Sequence, residues 1–600
     1  MQFKFLAGIA LASAGATTAL AKEVTYYWDI GYVSTAPDGF DRQVIGVNGA
    51  WPPPPIYATL NDTLIIEAHN SLDVPTTLHA HGMFQNGTNY MDGPYMVTQC
   101  GIPPGANMTY RIDVAQTGTY WIHSHYSAQY VDGLRAPLIL YDPDEPYKYD
   151  EDVIVTLEDW YQDNAEGLLK DFMNWKNPGG AEPVPNGALV GSVGGDKQFK
   201  INFTPGKTYR LRLINMSALS MFHFSIDGHT MRVIEVDGVA TEEQEVGNVR
   251  LSAAQRTSVL VTALNSTDNN YIFHADMDTD MFDSIPDGLN YNSTGLIQYA
   301  ADAPTKAFDE VDWSPFSDID LVPYDKHPAL GYDVTYSLDV YFNQFTDALN
   351  HGTFNNVSYV APKVPSMFTA LSMGDDALNV SVYGQQSNAR VLKHMDDVQL
   401  VVSNYDAGTH PFHLHGHDFQ MIERGPVPYD PTYNPRPKSP PIRRDTVIIP
   451  SMEYVILRFR ADNPGAWLFH CHIDWHMLDG LNMVFIEAPD VMQQRIDVPQ
   501  QVIDHCSAAG ISIKGNAAGR EGLDLTGAPE GPYLYPLGWT RKAKGALAGC
   551  ILSALVGMAT IIWYGWSSNR KYTTVPTSEP KLQIQSPYID QYEPVAETAQ

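Results

Sequence analysis

From Lys22 to about Thr540 the chain runs in short apolar stretches that alternate with polar residues and end in Pro, Gly, Asn or Asp. Leu64-Ile65-Ile66, Leu138-Ile139-Leu140, Val153-Ile154-Val155, Tyr209 to Ile214, Val259-Leu260-Val261, Leu400-Val401-Val402, Val447-Ile448-Ile449 and Met483 to Ile486 are of this kind. Short period-two runs rich in Val, Ile, Tyr, Phe and Thr predict half-buried strands, and their spacing by turn residues predicts an all-β chain of sandwich domains. The pattern breaks at Asp142-Pro143-Asp144-Glu145-Pro146 and in the polar stretch Ala300 to Pro304, which gives segments 22–148, 149–303 and 304–540.

The two ends follow different patterns. In residues 1–21, Lys4 precedes the apolar run Phe5 to Ala12, and Ala19-Leu20-Ala21 offers small residues before Lys22, which reads as a cleaved secretory signal. Residues 545–566, Gly545 to Trp566, carry no charge, follow Arg541, Lys542 and Lys544, and precede Arg570 and Lys571. As a helix this stretch would be about 33 Å long, enough to cross a bilayer core of about 30 Å. A lipid-anchor signal would leave little beyond the apolar stretch, whereas residues 567–600 remain. One transmembrane helix is expected, with residues 22–540 outside and a polar cytosolic tail.

Charge then narrows the partners. A net charge of −32 argues against nucleic acid and adhesion to anionic lipid, and favours cationic substrates. Four cysteines are too few for a disulfide scaffold. Sequons at Asn61, Asn86, Asn107, Asn202, Asn215, Asn265, Asn292, Asn356 and Asn379 agree with secretion and predict glycosylation.

The chemistry is concentrated in histidines. Ten of the 19 fall in four clusters: His79-Ala80-His81, His123-Ser124-His125, His410-Pro411-Phe412-His413-Leu414-His415, and His470-Cys471-His472 with His476. On a strand, residues i and i+2 share a face, so each His-X-His pair presents two imidazoles to adjacent metals while Cys471 points the opposite way. His410 stands three residues from His413 and leaves that face, helped by a turn at Pro411. Two histidines and a thiolate from His410, Cys471 and His476 form the donor set that selects blue copper; zinc is the redox-silent alternative. Leu481, ten residues beyond Cys471, cannot coordinate, so no axial ligand is expected.

These four motifs resemble those of the multicopper oxidases, the family of laccase, ascorbate oxidase and fungal ferroxidases, and the resemblance spans essentially all of residues 22–540. It implies three cupredoxin-like domains, four copper ions and the four-electron reduction of dioxygen to water. By motif position it implies type 1 copper at His410, Cys471 and His476, and type 2 copper at His79 and His413. The type 3 pair would use His81, His123 and His472 for one ion, and His125, His415 and His470 for the other. Asp92 and Asp474 occupy positions that supply protons in the family. With Cys471 at copper and Cys550 in the apolar helix, Cys100 and Cys506 remain to pair, as in a matching laccase bridge.

For the electron donor, the resemblance is to the fungal membrane-anchored ferroxidases of iron uptake. It implies an iron(II) site of Glu182, Asp283 and Asp406, with Asp278 assisting, and an iron permease as partner in a plasma or vacuolar membrane. His351 departs from the tyrosine common among those relatives and bears on tuning of the iron site. Asp318 and Asp320 read either as a station for iron(III) or as a solvated acidic loop. The competing readings are a laccase-like phenol or pigment oxidase, favoured by Asp474 and Leu481, and a copper-binding or adhesive surface protein without turnover.

Overall fold

The structure is a computed structural model that describes residues 21–306, 308, 317–438, 440–534 and 539–568. Residues 1–20 of the expected signal 1–21 and residues 569–600 of the expected tail 567–600 lie outside the described residues.

The alternation read along the chain is realised as burial. In the strand Thr63–Asn70, Leu64, Ile66, Ala68 and Asn70 face inward and Thr63, Ile65, Glu67 and His69 face outward to varying degrees. Strands covered on both sides lose the alternation: in Arg135–Tyr141 every residue but the last is buried.

The strands form three sandwiches with one wiring. In the first, Glu23–Thr35 pairs antiparallel with Arg42–Val47 and parallel with Thr63–Asn70, and the facing sheet holds Leu78–His81, Gly118–Ser124, Arg135–Tyr141 and Ile56–Thr59. The same parallel opening recurs as Glu151–Trp160 beside Thr208–Asn215 and as Val334–Gln344 beside Asp397–Asn404. These are cupredoxin-like β-sandwiches, and the repetition makes modules of segments that share no strict sequence repeat. Thr305–Lys306 still pairs with Asn270–Asp278 of the second sandwich, so that sandwich runs slightly past residue 303.

The first and third sandwiches meet through a shared core. Leu78, Ile122 and Leu138 belong to one buried cluster with Ala466, Leu468 and Val484. Asn89 seals the seam: its amide nitrogen donates to Ala466 O at 3.1 Å and its amide oxygen accepts from Ala466 N at 3.0 Å, across 377 residues. Cys100 and Cys506 form a disulfide across the same junction.

Eight of the nine sequon asparagines are exposed, but Asn215 is fully buried. Its amide donates to Ser220 O at 2.9 Å and Leu251 O at 3.0 Å, so the folded chain has no room for a glycan there. By itself, the C-terminal segment is one helix, Arg541–Ser568, long and apolar enough to cross a membrane.

Candidate metal centre

Two antiparallel strand pairs build the large cluster. Leu78–His81 pairs with Gly118–Ser124, setting His79 opposite His123, and His410–Leu414 pairs with Gly465–Cys471, setting His413 opposite His470. His125, His415 and His472 follow immediately beyond their strands. All eight imidazoles are buried. Ring centroids lie 3.8 Å apart for His81 and His413, 4.1 Å for His79 and His415, and 5.4 Å for His125 and His470.

One nitrogen of most rings is fixed from behind. His79 Nδ1 is bonded to Asp92 O (2.6 Å), His413 Nδ1 to Asp445 O (2.8 Å), His123 Nδ1 to Ser124 O (2.9 Å) and His470 Nδ1 to Cys471 O (2.9 Å). The inward nitrogens, among them Nε2 of His79, His123, His125 and His413 and Nδ1 of His81, have no hydrogen-bond partner among the described residues. Burial, reinforced by the neighbouring imidazoles, holds His81, His123, His125, His413, His415 and His472 well below the usual histidine range. Neutral, buried, unpartnered imidazole nitrogens aimed at one another fit metal ions.

Ligand nitrogens of His125, His415 and His470 lie within 4.8 Å of one another, as do those of His79, His81 and His123, and of His79, His413 and His415. His472, expected by motif position to join His81 and His123, lies 5.0 Å from His81 and 5.5 Å from His123 between ring centroids.

Two carboxylates border the cluster. Asp92 is buried, with Oδ2 2.9 Å from His415 Nδ1 across 323 residues, so the residue whose carbonyl holds His79 also braces His415. Gly93 makes this turn possible: its φ is 106°, and a Cβ there would strike Leu78 O at 2.2 Å. Asp474 opens the helix Asp474–Asp479, and neither side-chain oxygen has a partner among the described residues. It faces a narrow gap shared with His123, His125, Tyr130, His470 and His472. Burial, then the charges of Asp159 and Asp132, raise it well above the ordinary carboxylate value, which favours the acid form. Sequence reasoning missed a third carboxylate, Asp445. Its Oδ1 stands 3.2 Å from His81 Nε2, while Arg256 holds it at 2.6 and 2.8 Å.

The second centre joins His410, Cys471 and His476, all fully buried. Cys471 Sγ lies 3.5 Å from His476 Nδ1 and 3.8 Å from His410 Nδ1, and the two nitrogens are 3.2 Å apart. Burial pushes the thiol up, but hydrogen bonds from His410 and His476 outweigh it and bring it to about 7. His410 leaves the cluster face by strand parity alone: Pro411 sits within the continuous strand and imposes no turn. Leu481 is fully buried beside this centre, its carbonyl accepting Cys471 N–H at 3.1 Å.

Carboxylates cap the outer nitrogens of both histidines. Glu182 Oε1 is 2.6 Å from His476 Nε2, and Asp406 Oδ2 is 3.1 Å from His410 Nε2. Burial raises the Asp406 carboxyl, but the hydrogen bond and charge of His410 outweigh it and hold it at about 2. Asp283 is exposed, two residues beyond Met281, whose Sδ accepts Thr409 N–H at 3.0 Å.

Other acidic residues take structural roles. Asp278 is bound by Arg250 at 2.6 Å and faces His223 at 3.5 Å, which leaves no uncommitted carboxylate to assist iron. Asp318 is gripped by Arg424 at 2.6 Å and Arg444 at 2.9 Å, and Asp320 pairs with Lys438, so this segment is not a solvated acidic loop.

Three family profiles described as multicopper oxidase match residues 29–145, 151–302 and 359–491. The chain is a multicopper oxidase. It is 45% identical over 597 residues to iron multicopper oxidase fer1 of Mycosarcoma maydis, covering 92% of this chain and 95% of that one. It is also 45% identical to iron transport multicopper oxidase FET3 of Gibberella zeae, covering 92% and 90%. Among solved structures, Fet3p, titled a multicopper oxidase that functions in iron import, superposes with a TM-score of 0.83 at 37% identity, covering 86% of this chain and all of that one. A laccase from Botrytis aclada superposes at 0.72 with 30% identity, covering 82% and 93%. The family implies copper, and the donor sets of this oxidase fit it.

Proposed function

We propose that this multicopper oxidase is a membrane-anchored ferroxidase, which oxidises iron(II) outside the cytosol and passes iron(III) to a permease in the same plasma membrane. One observation carries the reading: Glu182 and Asp406 sit on the solvent-side nitrogens of His476 and His410. Iron(II) held there by the carboxylates, with Asp283 closing the site from its exposed loop, is one imidazole away from the thiolate centre. Hard anionic oxygens favour iron(III) over iron(II), so the site that binds the donor also promotes its electron loss.

Four copper ions would be held, one by His410, Cys471 and His476, one by His79 and His413, and a pair by His81, His123 and His472 and by His125, His415 and His470. Copper, when bound, supplies the one-electron steps that join iron(II) oxidation to the reduction of dioxygen to water. The chain supplies the rest. Cys471 lies between His470 and His472, so a single strand end connects the donor side to the cluster. Asp474, whose burial favours the acid form, would donate protons at the cluster, and Asp92 braces His79 and His415 as a second carboxylate there. Leu481 carries no donor atom, so copper here would be held by His410, Cys471 and His476 alone, a donor set that favours a high potential.

The test is oxygen uptake by the copper-loaded chain with iron(II) and a bulky phenol as competing donors. Preferred consumption of iron(II), four per dioxygen, supports the ferroxidase. Preference for the phenol returns the laccase reading, and no uptake with either leaves a copper-binding surface protein.

A further inference from the structure

The strand Asn350–Phe354 runs along one side of the donor site. Asn350 Nδ2 donates to Gly179 O at 2.8 Å, three residues before Glu182. His351, the next residue, is buried, and both of its ring nitrogens are engaged: Nδ1 lies 3.0 Å from Asp479 Oδ1 and 3.1 Å from Asp479 O, and Nε2 lies 2.9 Å from Asp347 Oδ2. Gly352 N–H then donates to Asp479 Oδ2 at 2.7 Å. A Cβ on Gly352 would meet Leu481 Cβ and the Phe342 ring at 3.0 Å, so the strand backbone lies directly against both. Phe342 in turn stacks on His410 at 5.4 Å and stands edge-on to His476 at 4.7 Å. Asp479 ends the short helix that carries His476, one residue before the Gly480 turn into Leu481.

We infer that His351 is a positioning residue for the electron-donor site: bridging Asp347 and Asp479, it clamps the strand that sets the Leu481 and Phe342 walls, the His476 helix and the loop of Glu182. The inference rests on the reading of His410, Cys471 and His476 as the donor-side centre. An imidazole that donates from both nitrogens is a cation. Burial opposes that charge, but Asp479 and then Asp347 outweigh it and raise His351 to about 9, so the clamp is closed across neutral pH. A purely structural ion pair would affect folding only. A clamp with this placement also fixes the surroundings of the thiolate centre and the position of one iron carboxylate.

The experiment compares copper-loaded full chains: parent, His351→Phe, which keeps a ring and loses both donors, and His351→Asn, whose amide still reaches Asp479. The readouts are the visible and electron-spin-resonance signature of the thiolate centre, its potential, and KM and kcat for iron(II). His351→Phe is expected to shift the signature and potential and to raise KM roughly tenfold, the value of one charge-assisted hydrogen bond, with a smaller change in kcat. His351→Asn is expected to restore the signature. Asp479→Asn breaks the same pair from the helix side and should reproduce the Phe variant, so it decides the matter if that variant does not fold. Parent-like signature and KM in folded His351→Phe or folded Asp479→Asn would overturn the inference. A parent without the thiolate signature or without iron oxidation would instead overturn the reading of the donor site.

Discussion

Glu182 and His476 stand 294 residues apart in sequence and 2.6 Å apart in space, the Glu182 carboxylate on the one imidazole nitrogen that the thiolate centre leaves over. The contact joins the second sandwich to the third; in the proposed reading the second supplies a ligand for the electron donor and the third the acceptor. Asp406 repeats the arrangement on His410 from within the third.

Cys471 is the thiolate of its centre, and the remaining donors there are imidazoles. Cys471→Ser should abolish the intense visible absorption of the copper-loaded protein while leaving about three of four copper ions bound, because the eight-histidine cluster does not use the sulfur. Metal analysis with an absorption spectrum checks both halves. A blue band surviving the change would remove the assignment.

Leu481 is fully buried, and its carbonyl accepts Cys471 N–H at 3.1 Å. Leu481→Met, a swap of similar volume, should add a weak thioether donor and lower the potential of the centre. Redox titration decides it, and an unchanged potential would mean that the axial position lies elsewhere.

Burial raises the Asp474 carboxyl beside the cluster and favours its acid form. Asp474→Asn keeps the shape and removes the exchangeable acid, so steady-state oxygen turnover should fall by roughly a hundredfold. Anaerobic reduction of the thiolate centre by iron(II), which consumes no proton there, should keep its rate. Equal loss in both measurements would place Asp474 in electron transfer or in folding.

Asp318 gives a stability effect with a defined sign. Burial raises its carboxyl, but Arg424 and Arg444 outweigh that and lower it from 3.8 to about 2. A depressed carboxylate stabilises the fold fully above its unfolded value and loses that contribution as pH falls through the folded one. Asp318→Asn should therefore lower stability by about 2 kcal/mol at neutral pH, and the gap in melting temperature should close between about pH 4 and pH 2. A gap that persists at pH 2 would mean that packing, not charge, is responsible.

Much of this was legible because it depends on local geometry. Strand parity alone sends Cys471 away from His470 and His472 and separates His410 from His413, and the alternation of Leu64, Ile66 and Ala68 marks an inward face without any partner in view. What escaped depends on contacts between distant segments. His81 meets Asp445 across 364 residues and His351 meets Asp479 across 128, and no spacing rule joins such positions. Asp318 looks like a free acid in its own segment, and only tertiary packing brings Arg424 and Arg444 to it. Asn215 shows the same limit from the other side: the sequon is a local pattern, whereas burial of its amide is settled by Ser220 and Leu251.

The most direct test of the account is the specificity constant for iron(II), set beside that for a bulky phenol, in the Glu182→Gln, Asp406→Asn double variant. The amides keep an acceptor for His476 and His410 and remove only the two charges. The account predicts a loss of about a hundredfold for iron(II), one tenfold step per charged contact, with phenol turnover and the blue band intact. Iron(II) oxidation at the parent's specificity constant, with the blue band preserved, would contradict it.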